Sequence, residues 1–327
     1  MSSADFQALV AANGGVATTP QLLEVMSAKA LEVAVQRGRL VRIRRGVYAA
    51  GLPDVASQLA ALDATSGTRI VACMNTAAQV YGFDIEPDER LHVLDPGIRI
   101  RPSGNVMVHQ RLGAPLTVVA GRLFTAPAWT AIEIARTLRR PRALAVLDAA
   151  LHTGACTAAD LQAAIIEQKG RRGIVTVREL MALADGRAES PMESEARLVF
   201  IDGGLAPLVL QHEIVDRCAD VWRVDFAWPE ARVAAEYDSM EWHANPTAWK
   251  RDRIKSSRLH ECGWDLVRFV VDDVRRYPAD LVDRIGGRID SSHWPSRRET
   301  PHFVRNMGGF TSARGRSDEF RGPSGSN

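Results

Sequence analysis

Asp225 stands inside the apolar run Val221–Trp228, Glu236 follows eleven residues later, and Glu195 precedes both in a segment opened by Ser190-Pro191. His243 comes a few residues further on, directly after Trp242. Three carboxylates and a histidine around one short hydrophobic sheet form the donor set that a magnesium-dependent phosphodiesterase needs. Hard oxygen ligands suit Mg²⁺ or Mn²⁺. Such an ion activates a water and stabilises the in-line transition state.

The spacing predicts how these groups meet. Val221–Trp228 reads as a central strand that stops at Pro229, Glu230-Ala231 supplies a turn, and Arg232–Tyr237 reads as the partner strand. A hairpin with so short a loop sets Asp225 and Glu236 near each other at one end of the sheet. Carboxylates that close repel unless a cation lies between them; the alternative is two polar residues at a sheet end. Upstream, Ser190 as cap, Pro191 in the first turn and Glu193 three residues on form a capping box, which explains Glu193 without chemistry. Glu195 is not needed for that cap. It lies three residues before Leu198, on or beside the inward face, and is either a surface residue or an active-site one.

A helix is expected from Thr247 to Cys262, carrying Lys250, Arg251, Arg253, Lys255 and Arg258 with Asp252 among them. These cations suit phosphate contact or, equally, a solvated helix face. Gly263 closes the helix, Trp264–Phe269 is a strand, and a final helix spans Asp272–Ile285. With Leu208–Ile214 as the first strand, an α-β-β-β-α-β core results.

At the other end, residues 4–50 read as three short helices and a hairpin turning at Arg45-Gly46, a winged helix-turn-helix arrangement. Alternation there puts Val41, Ile43 and Val47 on one face, Arg42 and Arg44 on the other. Lys29 and Arg37 on the third helix, with Arg42, Arg44 and Arg45 on the wing, are expected to form one DNA-facing basic surface. In residues 55–185, Leu59–Leu62, Ile70–Val80, Ala126–Leu138, Arg142–Leu151 and Val175–Ala184 look helical, and Leu91–Leu94 and Val106–His109 look like strands. His92, His109 and His152 stand isolated along the chain, and structural roles are expected for them.

Several of these strings resemble known families. The Gly14-Gly15 stop, two short helices, Gly38-Arg39-Leu40, an Arg-rich stretch and Gly46-Val47-Tyr48 resemble the N-terminal domain of abortive-infection type IV (AbiEi) antitoxins. Asn75-Thr76-Ala77-Ala78, Tyr81-Gly82-Phe83 and Thr130 to Ala135-Arg136 resemble the body that follows it. Glu195-Ala196-Arg197-Leu198, Arg223-Val224-Asp225-Phe226 and Trp242-His243 resemble the very-short-patch-repair branch of the PD-(D/E)XK nucleases, in particular a domain of unknown function common in actinobacterial chains. That resemblance implies an active-site role for Glu195, completing or orienting the metal shell. Where the family pattern commonly has lysine two residues after the glutamate, this chain has Asp238. The repair-type branch uses a histidine instead, and His243 fits, since histidine moves protons to and from water near neutral pH. Asp238 then either binds the metal or holds His243 in one tautomer.

The bulk numbers set the frame. A chain of 327 residues accommodates two or three domains. We expect an α+β or α/β multidomain protein: winged helix-turn-helix at 1–52, a mixed α/β antitoxin-like body at 53–186, a restriction-endonuclease-like domain at 187–289 and a disordered tail at 290–327. A net charge of +2 makes any DNA contact a matter of local patches. Cys73, Cys156, Cys218 and Cys262 lack zinc-ligand spacing and read as reduced thiols. No apolar run reaches the roughly 18 residues of a membrane span, and no signal-peptide pattern opens the chain, so a cytoplasmic protein without a membrane partner is expected. Two functions follow. One is a metal-dependent DNA endonuclease whose N-terminal domain holds the substrate. The other is a non-catalytic antitoxin-like transcriptional regulator, with operator DNA or a cognate toxin as partner, that keeps a nuclease fold for binding. The acidic set favours the first, because unneutralised carboxylates facing phosphates repel DNA.

Overall fold

A computed structural model describes residues 9–86, 88–98, 105–110, 113–239 and 246–289. It is a mixed α/β structure with small separate sheets and no closed barrel among the described residues. The expected tail, Trp242 and His243 lie outside them.

The first unit contains β1 (Val16–Thr18), α1 (Thr19–Val25), α2 (Ala28–Gln36), β2 (Val41–Arg44) and β3 (Val47–Ala49). The strands form one sheet in the order β1-β3-β2, antiparallel throughout. Strand β1, of only three residues, has no counterpart in the sequence pattern. Its alternation is too short to detect, and pairing with β3 creates it. Gln21 accepts from the Thr18 N–H at 2.8 Å and Pro20 opens α1. Ser27 caps α2 through the Ala30 N–H at 3.2 Å. Leu22, Leu31 and Leu40 close the helical side. Val16 and Val47 pack on Ala60 and Ala61 of α3 (Val55–Ser66). A register shift between Arg42 and Arg44 breaks the expected alternation of the wing.

The middle unit runs through α4 (Met74–Val80), β4 (Leu91–Leu94), β5 (Val106–His109), β6 (Leu116–Val119), β7 (Arg122–Thr125), α5 (Pro127–Ala135), α6 (Arg140–His152), α7 (Ala158–Glu167) and α8 (Ile174–Met181). Ile70–Cys73, expected to be helical, is instead the extended link between two ribbons. The Leu94 N–H donates to the Val71 carbonyl at 2.9 Å, and the Ala72 N–H to the Leu123 carbonyl at 3.1 Å. The backbone groups of these apolar residues are satisfied by strands on both sides, which outweighs local helical propensity. Strands β6 and β7 and helix α7 add to the expected elements. For α7 the chain does carry a signal: Thr157 and Asp160 form a reciprocal capping box.

The last unit contains α9 (Pro191–Asp202), β8 (Val209–Val215), β9 (Val221–Trp228), β10 (Val233–Tyr237), α10 (Pro246–Glu261), β11 (Asp265–Phe269), α11 (Val271–Arg275) and α12 (Pro278–Gly286). Its sheet has the order β11-β10-β9-β8, antiparallel except for the parallel pair β10–β11. The single helix expected at Asp272–Ile285 is two, because Pro278 has no N–H and disfavours helical geometry in Tyr277.

Helix α9 has no solvent face: every residue from Met192 to Phe200 is buried. Leu198 joins the core of the middle unit, whereas Met192, Ala196, Val199 and Phe200 join that of the sheet. Phe200 stacks edge-on against Phe226, Trp228 and Phe269, with centroids 5.1, 5.6 and 5.7 Å away. At its C-terminal end, Gly203 meets α12 so closely that a Cβ would lie 2.6 Å from Val282. On the other side, buried Arg197 pairs with buried Asp148 of α6 at 2.5 Å and donates to the Leu183 carbonyl. Asp148 also accepts from the Asp185 N–H at 2.8 Å.

Removing one partner of such a pair strands the other charge. Arg197→Met is expected to cost about 3–5 kcal/mol in urea denaturation. Adding Asp148→Asn, which keeps the acceptor for the Asp185 N–H, should recover much of that loss. A double variant no more stable than the single one would remove the pair from this role.

Candidate functional site

Strands β9 and β10 pair Trp228 with Val233, Ala227 with Ala234 and Phe226 with Ala235. One step further the strands bring Asp225 beside Glu236, and the Asp225 carboxylate accepts from the Tyr237 N–H at 2.9 Å. The sheet has a defect at this point. Leu210 and Phe226 face α9, yet Ile214, Trp222 and Val224 face α10, so side-chain alternation slips by one residue in both β8 and β9. The register runs from Leu210–Phe226 to His212–Val224 and skips Gln211 opposite Asp225. Gln211 absorbs the slip with a φ of 49°, an uncommon value for a residue with a side chain. Asp225 therefore lies in the step, where groups from both covering helices reach it.

From the α9 side comes the charge of Glu193, and from the α10 side that of Lys255. The Lys255 ammonium contacts Glu236 Oε1 and donates to the Arg223 carbonyl at 2.5 Å. Glu236 also has Arg268 as its register partner on β11. Burial, followed by repulsion from Glu193, pushes the Asp225 carboxyl up to about 6. Burial raises Glu236 as well, against the pull of Lys255. The arrangement is an acidic pair in a poorly solvated place with one ammonium in direct contact, which is a setting that favours cations.

The structure redistributes the expected roles. Glu195 does not join Asp225 and Glu236: its carboxylate receives Arg275 at 2.8 and 2.9 Å and Arg142 at 3.3 Å. Two residues along a helix is more than half a turn, so Glu193 and Glu195 point different ways. Glu193 holds its cap, accepting from Ser190 Oγ and from the Glu189 N–H at 2.9 Å each, and is gripped by Gln211 Nε2 at 2.8 Å. Capping and a place beside Asp225 are thus compatible. Asp238 is half-buried, with its N–H bonded to the Phe269 carbonyl at 2.8 Å. His243 cannot be placed, since it lies outside the described residues. Among these residues no group of three or more His, Cys, Asp or Glu side chains could hold a metal by itself.

Of the cations on α10, Lys255 points inward and Arg258 pairs with Glu261 at 3.2 Å, while Lys250, Arg251 and Arg253 are exposed. In the first unit Lys29, Arg37, Arg42 and Arg45 are exposed and Arg44 is half-buried. The histidines of the middle unit correct the sequence reading. His92 and His109 are stacked, with their ring nitrogens 3.0 Å apart, and His92 also meets Asp88 at 3.0 Å. They are seventeen positions apart in sequence, and the parallel pairing of β4 with β5 brings them together. His152 bonds the Gly186 carbonyl at 2.9 Å, a structural role.

Residues 70–183 match the family model described as the AbiEi antitoxin C-terminal domain. Two uncharacterized proteins of Mycobacterium tuberculosis, MT2308 of strain CDC 1551 / Oshkosh and Rv2248 of strain H37Rv, are each 56% identical to this chain over 265 residues. That alignment covers 81% of this chain and 98% of each relative. The chain belongs to the family of these mycobacterial proteins. The antitoxin-domain match spans α4 to α8 and ends before α9, so Asp225, Glu236 and Lys255 lie beyond it. No described helix is long and apolar enough to cross a membrane.

A carboxyl raised in the folded state has a defined effect on stability. Between its unfolded value near 3.8 and its folded value near 6, the native protein holds more of the proton than the unfolded chain does. Stability contributed by protonated Asp225 is therefore present below that window and lost as pH rises through it, by on the order of 3 kcal/mol. Asp225→Asn should flatten this part of the pH profile of thermal unfolding and raise stability at pH 7. An unchanged profile would show that Asp225 is solvated like a surface carboxylate.

Proposed function

We propose that this protein acts on DNA and that its C-terminal unit hydrolyses phosphodiester bonds with a divalent cation, Mg²⁺ or Mn²⁺. The observation that carries the reading is the pairing of Asp225 with Glu236 at the sheet defect, where burial raises both carboxyls. The donors fit a hard cation. Magnesium binds through one or two carboxylates together with substrate phosphate and keeps several waters, so a pair suffices where a full protein cage is absent. Asp225 and Glu236 would hold the ion, with Glu193 adding negative charge nearby. Bound there, the ion would supply activation of water and charge neutralisation at the phosphate.

The remaining tasks fall to side chains of this chain. The Tyr237 N–H fixes the orientation of Asp225. Exposed Lys250 and Arg251 receive backbone phosphates along α10. His243 moves the proton to and from water, with Asp238 as its partner or as a further oxygen donor. The order of helix and strands in the last unit supports a restriction-endonuclease-like core. In the first unit, α2 and the β2–β3 hairpin support a winged helix-turn-helix, α2 addressing the major groove and the Arg45-Gly46 turn the backbone.

The match of residues 70–183 to an antitoxin domain favours a second reading: a regulator that binds operator DNA, or a cognate toxin, and uses the C-terminal unit only for binding.

Incubating the full chain with plasmid and oligonucleotide DNA in Mg²⁺, Mn²⁺ or EDTA separates the two. Metal-dependent cutting is expected, and Asp225→Asn or Glu236→Gln should lower it at least about 100-fold, close to 3 kcal/mol of barrier. DNA affinity should hold or tighten as negative charge is removed. Plasmid left intact under every metal, with DNA still bound, would establish the regulator reading. For the first unit, changing Arg42, Arg44 and Arg45 to Ala should flatten the salt dependence of DNA binding by about 0.9 in slope for each phosphate that is no longer neutralised. An unaltered slope would assign this unit to protein contact.

A further inference from the structure

Lys255 is the group the site has and its motif did not announce. It sits on α10, far in sequence from the hairpin, and is legible along the chain only as one of several cations on a helix face. In the fold its side chain is 17% exposed, its ammonium contacts Glu236 Oε1 and donates to the Arg223 carbonyl at 2.5 Å, and its charge reaches Asp225. Among the described residues, the other charges bearing on the pair are Glu193 and Glu189 on the acidic side and Arg268 on the basic side. Arg268 hydrogen-bonds the Asp252 carbonyl and Ser256, and Arg223 is paired with Glu189 at 2.7 Å. Among the described residues Lys255 is thus the cation in direct contact with the carboxylate pair. An ammonium held on Glu236 Oε1 and a divalent ion on the same carboxylate oppose each other, because the two positive charges repel at such short range in a poorly solvated place.

The position of Lys255 on its helix offers a second partner. Exposed Arg251 lies four residues earlier, on the same face, and Lys250 beside it. A backbone phosphate received by Arg251 comes within range of the Lys255 side chain, whose flexible stem lets its point charge change partner. We propose that Lys255 is an exchangeable member of the site: in the free protein its ammonium neutralises Glu236 beside Asp225, and on binding of nucleic acid it passes to a backbone phosphate and leaves the two carboxylates to a divalent cation. This rests on the metal-dependent reading above and adds a regulation to it. Metal and DNA then bind with positive coupling, which thermodynamics makes reciprocal. The cation is recruited where phosphate is present, and the acidic pair is not left bare without it.

The test is calorimetric titration of Mn²⁺ into the full chain, with and without a short duplex carrying cleavage-resistant phosphorothioate linkages. In the wild type the duplex should tighten Mn²⁺ binding by about 10-fold. Lys255→Met should bind Mn²⁺ about 10-fold more tightly than the wild type without DNA, and the duplex should add little. Lys255→Gln, which can still donate to the Arg223 carbonyl, reads the same quantity if the methionine variant fails to fold. Asp225→Asn should abolish Mn²⁺ binding in both states. Equal Mn²⁺ affinity and equal coupling in wild type and Lys255 variants would overturn the exchange while leaving the metal site standing. Absence of Asp225-dependent Mn²⁺ binding in every protein, with or without DNA, would overturn the exchange and the metal-dependent reading together.

Discussion

Helix α9 is buried on all sides because two units use it at once, and that double use orders most of what surrounds it. An apolar stripe on one side, centred on Phe200, closes the core of the four-stranded sheet. The opposite side, with Leu198, completes the helical core of the middle unit. A helix placed this way cannot send its charged residues to water, so each needs a partner from one unit or the other. Arg197 finds Asp148 in the middle unit. Glu195 finds Arg142 in the middle unit and Arg275 in the last one, and so ties the two together. Glu193, in the first turn, is held by the cap and by Gln211 and lends its charge to Asp225. One helix thus carries a buried ion pair, an ion-pair tie and a neighbour of the candidate site within five residues.

The site follows from a fault in the sheet. Regular alternation would have placed Val224 on the face of Phe226; instead it packs towards α10 with Ala227. The strain is taken by Gln211, whose positive φ turns the neighbouring strand by the same step. Asp225 is open to both covering helices as a result, and its carboxylate is caught between Glu193 and Lys255. Charge there is unbalanced: several carboxylates bear on a region where Lys255 is the ammonium in contact. Burial magnifies the imbalance and raises Asp225 and Glu236 above the ordinary carboxylate range. A place that resists holding its own negative charge accepts a cation readily, and phosphate on α10 would compete for the cation it already has.

The overall charge of +2 conceals this arrangement. On α10 five Lys and Arg outnumber two acids, and Arg42, Arg44 and Arg45 gather at the β2–β3 hairpin. Surface distribution, not net charge, determines whether a polyanion sees attraction.

Much of the architecture is legible along the chain. The Asp225–Glu236 hairpin, the strands β4 and β5, the cap at Ser190 and the cationic helix α10 all announce themselves by periodicity, turn residues or caps, because the forces that set them act over a few residues. Short strands such as β1, β6 and β7 do not, since a strand of three or four residues is defined by its partner and not by its own pattern. The linking segment at Ile70–Cys73 reads as helix for the same reason: its hydrogen bonds are satisfied by strands remote in sequence. Partner choice among charges is equally hidden. Glu195 looks like the catalytic glutamate and is an ion-pair tie; Glu193 looks like a cap and is also the acidic neighbour of Asp225; Lys255 looks like one surface cation of five and faces Glu236. His92 and His109 look isolated and meet ring to ring. Residue types and local spacing determine which groups a segment carries and which face they take. Which opposite charge, nitrogen or carbonyl each one meets depends on packing between elements tens of residues apart, and only the folded chain decides those.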